Sequence, residues 1–273
     1  MGLELSVVYC GNRKSFPLIL LSVLSLTEKT SVPVNVYLVT MDLSAVDPAY
    51  LPITEGQRAV LQEVLKEIGR AAFLLRADQE YERSLRGSKN EKSYYTPYAQ
   101  LRLFLDRFPL PDRVLYLDTD VMCCRDPVCL FSHSLHEYEI SAVRDHMGKH
   151  FFGKNYFNSG VMELNLPEIK RTELFRRVLE RVRKRKMMFA DQTTLNRCAT
   201  KVLLLPHAFN EQRAPREDTV FKHFCRGIQW FPLFRVYNIK QTEREKVRKF
   251  LKITQFESVY GRFDEIAATY NIK

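Results

Sequence analysis

Short apolar runs alternate along the chain with longer amphipathic segments. Apolar runs of about four to eight residues are typical of buried strands, whereas apolar residues three and four positions apart are typical of helices. Strands are predicted at residues 5–9, 34–40, 72–75, 113–117, 138–143, 160–164, 202–205 and 220–224. Helices are predicted at residues 16–26, 54–69, 96–108 and 172–182. This alternation predicts an α/β sandwich of three layers around a mixed, mostly parallel sheet.

Polar residues at the expected helix ends support these boundaries. Thr54 and Gln57 have the spacing of a capping box, so a helix is expected to begin there. Thr96 precedes Pro97 in the way that an N-cap precedes a proline in the first turn. Asp191 is likewise predicted to cap a helix that follows it.

The apolar segment 16–26 follows two basic residues, so a signal peptide has to be considered. Its 11 residues fall short of the roughly 20 that span a bilayer. It contains Pro17, and no small-residue cleavage site follows it. A buried helix is therefore predicted. From Thr242 onward the pattern is helical and strongly charged, which predicts a main domain of residues 1–241 and a helical, charged C-terminal tail of residues 242–273.

The chain has 42 basic and 32 acidic residues, and its net charge of +10 favours an anionic partner. No nucleic-acid-binding module is recognisable, so nucleic acid is not expected as that partner. A phosphorylated substrate and an anionic membrane remain. The basic run 176–186 is either a solvated helix face or a surface for peripheral contact with such a membrane.

The cysteines do not have the spacing of a zinc site or of a disulfide framework. They lie at positions 10, 123, 124, 129, 198 and 225. Because disulfides persist mainly in oxidising compartments, reduced and mostly buried thiols in a cytoplasmic protein are expected.

Two carboxylates follow directly after a predicted buried strand, in the sequence Asp118-Thr119-Asp120. Ligands of open α/β sheets bind at the carboxyl ends of the strands, and side chains two positions apart in an extended segment point the same way. Oxygen ligands of this kind bind hard divalent cations, which often bridge to substrate phosphates. A metal site is predicted here. The alternative is an ordinary turn, because turns are rich in aspartate.

His223 is the predicted third metal ligand, because it lies in another predicted strand whose alternation allows it to face the site. The alternative is a structural histidine. Imidazole is a softer donor than a carboxylate, so two aspartates with a histidine suit Mn²⁺ better than Mg²⁺. Arg102 lies on the apolar face of the predicted helix 96–108 and needs a partner, which Asp118 or a bound diphosphate would provide. Otherwise its side chain extends past the edge of that face.

Two further polar segments have both a structural and a functional interpretation. Asn158 and Gly160 either supply unusual backbone angles to a turn, or Asn158 offers a donor and an acceptor to a sugar hydroxyl. Asp191 and Gln192 lie either at a helix start or at a binding site.

Four stretches, in this order along the chain, resemble glycosyltransferase family 8, whose members are retaining enzymes and include bacterial lipopolysaccharide galactosyl- and glucosyltransferases. The stretches are 114–120 (VLYLDTD), 156–161 (YFNSGV), 191–196 (DQTTLN) and 223–225 (HFC). The resemblance implies a GT-A fold, which is Rossmann-like, for residues 1–241. It also implies a UDP-sugar donor whose diphosphate is held by Mn²⁺, with Mg²⁺ as the alternative ion.

The resemblance also implies a role for each matching residue. The metal ligands would be Asp118, Asp120 and His223. The catalytic residues would be Gln192, closest to the anomeric carbon, and Asp191. The donor would further contact Arg102, Thr119, Asp145, Asn158 and Ser159.

The sequence departs from the family pattern in two places. Family members carry an Asp-rich, uracil-binding loop after the first strand, where this chain has Cys10, Gly11 and Asn12. These three are the expected base contacts. After the metal histidine the family has a glycine-containing turn and then lysine, proline and tryptophan, whereas residues 226–230 read RGIQW. Arg226 is expected to supply the charge for the diphosphate instead, and Gln229 is a further expected substrate contact.

The implied function is transfer of glucose or galactose from a UDP-sugar to an acceptor hydroxyl, with retention. A surface glycan or lipopolysaccharide precursor in a bacterium is the expected acceptor. The protein is expected in the cytoplasm, at the inner face of the membrane. The residues leave a same-face displacement and a double displacement open. A competing hypothesis is a haloacid dehalogenase-type phosphatase with Asp118 as nucleophile and Asp120 as acid and base, because that family also has Asp-x-Asp after a strand.

Overall fold

The computed structural model describes residues 4–66, 70–88, 97–184, 190–229 and 235–272. The strands are β1 Leu5–Cys10, β2 Val34–Thr40, β3 Ala72–Arg76, β4 Arg113–Leu117, β5 Val121–Cys123, β6 Ile140–Arg144, β7 Phe157–Asn165, β8 Val202–Leu205, β9 Phe221–His223, β10 Gly227–Gln229 and β11 Arg235–Tyr237. The α-helices are α1 Phe16–Lys29, α2 Glu55–Lys66, α3 Asp78–Ser84, α4 Gly148–Phe151, α5 Leu166–Arg171, α6 Leu174–Lys184, α7 Ala190–Cys198, α8 Arg244–Lys249 and α9 Glu257–Tyr270. The 3₁₀ helices are Arg13–Ser15, Pro97–Arg107, Pro127–Ser132 and His207–Asn210.

Seven strands form the central sheet in the order β3-β2-β1-β4-β7-β6-β8. β7 pairs antiparallel with both β4 and β6, and the other pairs are parallel. The sheet is therefore mixed and mostly parallel, as the alternation of strands and helices predicted. All eight predicted strands are present, with end shifts of at most a few residues.

Alternate residues of the central strands pack into two different cores, one on each face of the sheet. Leu115 and Leu117 of β4 face a core that contains α1, α2 and α9. Val114 and Tyr116 face a core formed with the 3₁₀ helix 97–107 and with α5 and α6. This period of two is what a strand covered on both sides requires. The predicted three-layer sandwich is confirmed.

Helix starts agree only partly with their sequence signals. The capping box is present, because Thr54 N donates to Gln57 Oε1 at 3.0 Å and Gln57 N donates to Thr54 Oγ1 at 3.1 Å. The prediction that Asp191 caps its helix was wrong, since α7 already begins at Ala190 and Asp191 lies in the first turn. Thr96, the other predicted cap, and residue 69, the predicted end of α2, lie outside the described residues.

The segment 97–107 is helical but winds as a 3₁₀ helix. Such helices seldom exceed three or four residues, so a long one indicates a local constraint. Arg102 lies near its centre, and its Nε donates to the carbonyl of Ala99, three residues earlier, at 2.8 Å. The side chain thus binds within its own tightly wound turn.

The C-terminal residues 244–270 form α8 and α9, and their apolar side chains belong to the main core. Val247, Phe256 and Val259 are at most 1% exposed. α1, predicted as a buried helix, packs against α9, and residues 19–26 of α1 are buried throughout. Among the described residues there is no helix with both the length and the apolar character to span a bilayer.

Candidate active site

The two aspartates of the metal prediction lie in the loop between β4 and β5. β4 ends at Leu117, in the middle of the sheet, and the backbone N–H of Asp118 donates to the carbonyl of Gly160 at 2.7 Å. This bond fixes the loop against β7 at the carboxyl end of β4. Asp120 is buried, whereas Asp118 is partly exposed.

His223 reaches the same place through a short pair of strands. β5 pairs antiparallel with β9, with Val121 opposite His223. The backbone N–H of Phe224 also donates to the carbonyl of Asp120 at 2.8 Å. The residue that follows Asp120 is therefore the partner of His223, which explains how ligands about a hundred positions apart along the chain meet.

The three side chains have the geometry of a metal site. One ligand atom from each of Asp118, Asp120 and His223 lies within 4.8 Å of the others. His223 Nε2 is 3.2 Å from Asp120 Oδ1 and 3.9 Å from Asp118 Oδ2. Two carboxylates and an imidazole form a donor set that fits a divalent cation. The set predicted from the sequence does converge.

The orientation of the His223 ring depends on Asn210, which the sequence analysis missed. His223 Nδ1 is 3.1 Å from Asn210 Oδ1, an acceptor, so Nδ1 donates this bond and the ring is held with Nε2 toward the carboxylates. Asn210 Nδ2 in turn donates to Asn158 Oδ1 at 2.9 Å. Asn210 lies in a short 3₁₀ helix without a motif, so no sequence signal pointed to it.

Gly160 is needed for this close approach and not for its backbone angles. A β-carbon at this position would overlap the imidazole ring of His223. Asn158 and Gly160 both lie within β7 and do not have positive φ angles. The interpretation of this segment as a turn with unusual angles was therefore wrong.

Arg102 is buried and contacts two sides of the site. It therefore has the partner that its position on the apolar face of the helix required. Its Nη2 donates to Asp118 Oδ1 at 2.8 Å and lies 3.4 Å from Asp191 Oδ2, and its Nη1 donates to the carbonyl of Ser159 at 2.7 Å. Tyr116 also donates to Asp118 Oδ1, at 2.7 Å. Burial opposes the charge of Arg102, but the nearby Asp118, Tyr116 and Asp191 together outweigh burial and raise the pKa of the guanidinium above its ordinary value.

Asp145 joins the amide side chains of the site. Its Oδ2 accepts from Asn158 Nδ2 at 2.9 Å and from Gln192 Nε2 at 3.1 Å. Its Oδ1 accepts from the backbone N–H groups of Met147 and Gly148. Gln192 Oε1 accepts from the backbone N–H of Ser159 at 3.1 Å. The amide of Gln192 is therefore held in one orientation beside Asp145.

The loop after β1 contributes Cys10, Gly11 and Asn12 to the wall of the cleft. The side chain of Asn12 caps the 3₁₀ helix Arg13–Ser15 by accepting from Ser15 N at 3.1 Å. Burial raises the pKa of the Cys10 thiol above its ordinary value, so the thiol stays neutral. The structure thus gives Asn12 a structural role as well as a place in the cleft.

The three proposed metal ligands line one open cleft with a volume of about 2020 Å³, together with Arg102, Asp145, Asn158, Gln192 and the loop of residues 10–12. Small-ligand pockets are usually about 300–1,000 Å³, so the cleft has room for more than one substrate. Thr119 and Arg226 also line it. Gln229 is the last residue of β10, which pairs with β11.

Lys240 is a second residue of the site that the sequence analysis missed. Its Nζ donates to Asp120 Oδ2 at 2.5 Å. Burial disfavours the charge of Asp120, but His223 and Lys240 outweigh burial and hold the pKa of this carboxyl well below its usual value. Asp120 is therefore ionised, as a metal ligand must be.

The family model described as "Glycosyl transferase family 8" matches residues 6–224. This stretch covers most of the chain and contains Asp118, Asp120 and His223. The chain belongs to glycosyltransferase family 8. The assignment decides against the haloacid dehalogenase-type phosphatase and identifies the protein as a transferase enzyme.

One relative of this family 8 glycosyltransferase is "Glycosyltransferase GlyA" from Streptococcus pneumoniae serotype 4. It is 34% identical over 98 residues, which are 35% of this chain and 14% of GlyA. A second relative, "Probable glycosyl transferase Gly" from Streptococcus gordonii, is 34% identical over 80 residues, 29% of this chain and 12% of that protein. The chain thus matches only about an eighth of the length of these curated relatives.

Solved structures support the fold. An active-site mutant of LgtC has a TM-score of 0.67 at 16% identity, covering 97% of this chain and 96% of LgtC. LgtC, a galactosyltransferase, in complex with donor and acceptor sugar analogues has a TM-score of 0.64 at 17% identity, with the same coverage. GlyE from Streptococcus pneumoniae TIGR4 has a TM-score of 0.66 at 20% identity, covering 97% of this chain and 64% of GlyE. The chain therefore has the GT-A fold of these glycosyltransferases.

Proposed function

We propose that this glycosyltransferase moves glucose or galactose from a UDP-sugar to an acceptor hydroxyl with retention of configuration and with Mn²⁺. The observation that supports the proposal most directly is the convergence of Asp118, Asp120 and His223 within 4.8 Å in an open cleft. A divalent ion at this set would neutralise charge on the diphosphate leaving group. Mg²⁺ is the alternative ion, and the imidazole ligand favours Mn²⁺.

Around this set, each polar side chain has a part in holding the donor. Arg102 fixes Asp118 and Asp191, and Asn210 fixes the ring of His223. Asn158 and Asp145 lie next in the hydrogen-bonded series and line the cleft, and we assign them to the wall against which the sugar lies. The base is proposed to lie against the loop of residues 10–12, and the diphosphate to extend toward Arg226.

The contacts of the carboxylates favour same-face displacement over double displacement. A carboxylate nucleophile needs an uncommitted oxygen, yet Asp145 accepts four hydrogen bonds through its two oxygens. Asp191 is close to the guanidinium of Arg102. Gln192 is held with its amide in a fixed orientation, and we assign it the stabilisation of positive charge at the anomeric carbon. The acceptor hydroxyl then attacks from the side that the phosphate leaves.

A surface glycan or lipopolysaccharide precursor is the proposed acceptor. The cleft has room for a second sugar beside the donor. The LgtC complex, which contains donor and acceptor sugar analogues, offers a parallel for two sugars in one fold. The excess of basic residues would favour peripheral contact with an anionic membrane that carries such a precursor.

A donor screen tests the proposal. Slow hydrolysis of UDP-glucose, UDP-galactose and their N-acetyl forms is measured with Mn²⁺, with Mg²⁺ and with EDTA. We expect turnover of one hexose donor with Mn²⁺, loss of turnover with EDTA, and loss in Asp120→Asn. Asp264→Asn is the matched control, because Asp264 is exposed and its partner is Arg244, outside the cleft.

The outcomes of the screen separate the hypotheses. NMR identifies the anomer of the sugar that is released. Release with an inverted anomeric centre would contradict retention. Turnover of an aryl phosphate without turnover of any UDP-sugar would contradict the proposal as a whole. Equal activity of Asp120→Asn and the wild type would show that the reaction does not use this site.

A further inference from the structure

Two adjacent phenylalanines are exposed at the rim of the cleft. Phe151 is 73% exposed and Phe152 is 49% exposed, and both line the cleft. The ring centroid of Phe152 lies 4.9 Å from that of Tyr156, which is buried. Single exposed apolar side chains are ordinary, but adjacent ones surrounded by polar residues mark an interaction surface. A partner that takes this pair out of water is therefore expected.

The backbone holds the two rings in this position. They belong to the last residue of α4 and the residue after it. The N–H of Phe152 donates to the carbonyl of Gly148 at 2.8 Å, and the N–H of Gly148 donates to Asp145 Oδ1 at 2.6 Å. A β-carbon at Gly148 would overlap the ring of Tyr156, so α4 lies directly against that ring. The pair is thus presented by an ordered segment and loses little freedom when a partner binds.

The segment that carries the two rings is basic. Residues 144–155 include three basic residues, two histidines and a single acidic residue, Asp145. The two oxygens of Asp145 already accept four hydrogen bonds. Lys149 precedes the rings and the exposed Lys154 follows them. The apolar pair therefore has positive charge on both sides.

Arg213 comes to the same rim from another loop. Gln212, the residue before it, accepts from the backbone N–H of His146 at 2.8 Å. Burial lowers the pKa of His146 below its ordinary value, and the charges of Arg213 and Lys149 lower it further. Because both cations act on one imidazole, they lie close together. Residues 149–154 and Arg213 are called the rim surface below.

The basic run of α6 is less suited to a membrane than the rim surface. All five apolar residues of α6 are buried, so its charges are not accompanied by exposed apolar area. Arg176 pairs with Glu173 and Glu180, and Arg177 lies 3.2 Å from Glu139. These contacts favour a solvated helix face for α6, whereas the rim surface combines aromatic rings with positive charge.

We propose that the rim surface binds an anionic lipid bilayer. Phe151 and Phe152 enter the boundary between headgroups and acyl chains, and Lys149, Lys154 and Arg213 meet the lipid phosphates. Burial of apolar side chains and attraction to anionic lipid add, so the combination binds where either part alone is weak. Membrane binding of this kind needs neither donor nor metal.

A bilayer at the rim surface lies at the mouth of the cleft, because both rings line the cleft. The acceptor hydroxyl then reaches the donor from a lipid-linked precursor held in that bilayer. This orientation of the reaction rests on the proposed function, whereas membrane binding itself does not.

Sedimentation with lipid vesicles tests the proposal on the intact chain, without nucleotide or metal. Vesicles of phosphatidylcholine are compared with vesicles of phosphatidylcholine and phosphatidylglycerol. The variants are Phe151→Ala/Phe152→Ala and Lys149→Gln/Lys154→Gln, and thermal unfolding shows that each is folded. We expect the wild type to bind the phosphatidylglycerol vesicles about tenfold or more tightly than the others.

Both variants should bind the phosphatidylglycerol vesicles about tenfold or more weakly than the wild type. The effect of the alanines should persist at high salt, because it comes from apolar area. The effect of the glutamines should shrink there, because salt screens the charges.

Two matched controls lie elsewhere on the chain. Phe73→Ala, at an exposed ring of the edge strand β3, is the control for apolar area. Arg183→Gln/Lys184→Gln, at two exposed residues of α6, is the control for charge. Both should bind within about twofold of the wild type, since distant charges are screened.

Fluorescence quenching shows directly which ring enters the bilayer. The emission of Phe151→Trp and of Phe73→Trp is measured with vesicles whose acyl chains carry bromine, and the signal of the native Trp230 is subtracted. We expect quenching in Phe151→Trp and none in Phe73→Trp, because bromine quenches a ring that reaches the acyl chains.

Three results would overturn the proposal. The first is a wild type that does not bind phosphatidylglycerol vesicles. The second is a loss in either control equal to that in the matching rim variant, which would indicate another surface or a general effect of charge. The third is unchanged vesicle binding by Phe151→Ala/Phe152→Ala with loss of transfer to a soluble acceptor, which would assign the rings to the acceptor sugar. Failure of the wild type to turn over any UDP-sugar would reject the proposed function and leave the vesicle result intact.

Discussion

At the residue scale, Gly160 shows how one missing side chain makes room for the ring of His223, the proposed metal ligand. Because a β-carbon there would overlap the ring of His223, Gly160→Ala should displace the imidazole. We expect Mn²⁺ affinity to fall by about tenfold or more, as for the loss of an orienting contact in other metal sites. Manganese EPR measures free and bound ion directly. Gly56→Ala is the control, since only Thr54 Oγ1 lies near, at 3.7 Å. Equal affinity in Gly160→Ala and the wild type would exclude His223 as a ligand.

Asp106 gives a prediction about pH. Its Oδ1 is buried without a hydrogen-bond partner among the described residues. Burial raises the pKa of this carboxyl above its usual value, although Arg107 and Lys170 oppose the shift. A carboxyl with a raised folded-state pKa destabilises the fold once it is ionised, so this cost grows as pH rises through the folded pKa.

Asp106→Asn removes that cost. The melting temperature should rise by about one to three degrees near pH 7, and the gain should vanish near pH 4, where the protonated wild type no longer bears the cost. Differential scanning calorimetry between pH 4 and pH 7 measures the melting temperatures, with Asp112→Asn, at an exposed residue, as the control. A gain that is the same at both pH values would contradict the assigned cause.

The sequence predicted Asp118, Asp120 and His223 because each residue type is chemically distinctive and lies at a strand end. Gly160, Asn210 and Lys240 could not be predicted in the same way. Gly160 acts by the absence of a side chain, which leaves no chemical signature. Asn210 and Lys240 lie outside any motif, and only the folded chain brings them to His223 and Asp120.

At the element scale, long apolar patterns predicted their elements well. Val34–Thr40 and Val202–Leu205 were predicted to the residue. The short strands β5, β10 and β11 were not predicted, because three residues carry too little periodicity unless apolar neighbours extend the pattern, as Val220 and Phe224 do for β9. Yet the pairing of β5 with β9 is what brings His223 beside Asp120. The element that completes the site was therefore among the hardest to predict.

The C-terminal helices give a prediction about stability. Phe256 is 1% exposed, and its ring centroid lies 6.3 Å from that of Phe224, the neighbour of His223. Phe256→Ala should lower the free energy of unfolding by about 3–5 kcal/mol, the range for large buried aromatic residues. Urea denaturation measures this change. Tyr270→Ala, at a half-exposed aromatic of α9, should change it by less than about 1 kcal/mol.

The same pair of variants tests whether residues 242–273 are a separate tail. If they are, Phe256→Ala will affect stability no more than Tyr270→Ala does. The burial of Val247, Phe256 and Val259 in the main core leads us to propose instead that these residues fold together with the sheet.

At the scale of the whole molecule, the site joins segments from nearly the full length of the chain. Arg102 comes from the layer of helices on one face, Asp118 from the centre of the sheet, and Lys240 from the segment before α8. A ligand that contacts all of them connects parts that would otherwise separate on unfolding. Ligand binding should consequently be visible as a change in global stability.

UDP and Mn²⁺ together should therefore raise the melting temperature. At about one hundred times the dissociation constant, a ligand that binds only the folded state adds about 2.7 kcal/mol. For a domain of this size that corresponds to a rise of about 5–10 °C. Differential scanning fluorimetry measures the shift. UDP with EDTA should give little of this shift, because the carboxylates of Asp118 and Asp120 would then repel the diphosphate. Asp120→Ala should abolish the shift.

An unchanged melting temperature of the wild type at saturating UDP and Mn²⁺ would contradict the assigned donor, because the cleft would then accept neither the base nor the diphosphate. A rise with UDP that persists in EDTA and in Asp120→Ala would show that the nucleotide binds without the metal set, and the roles given to Asp118, Asp120 and His223 would have to be abandoned.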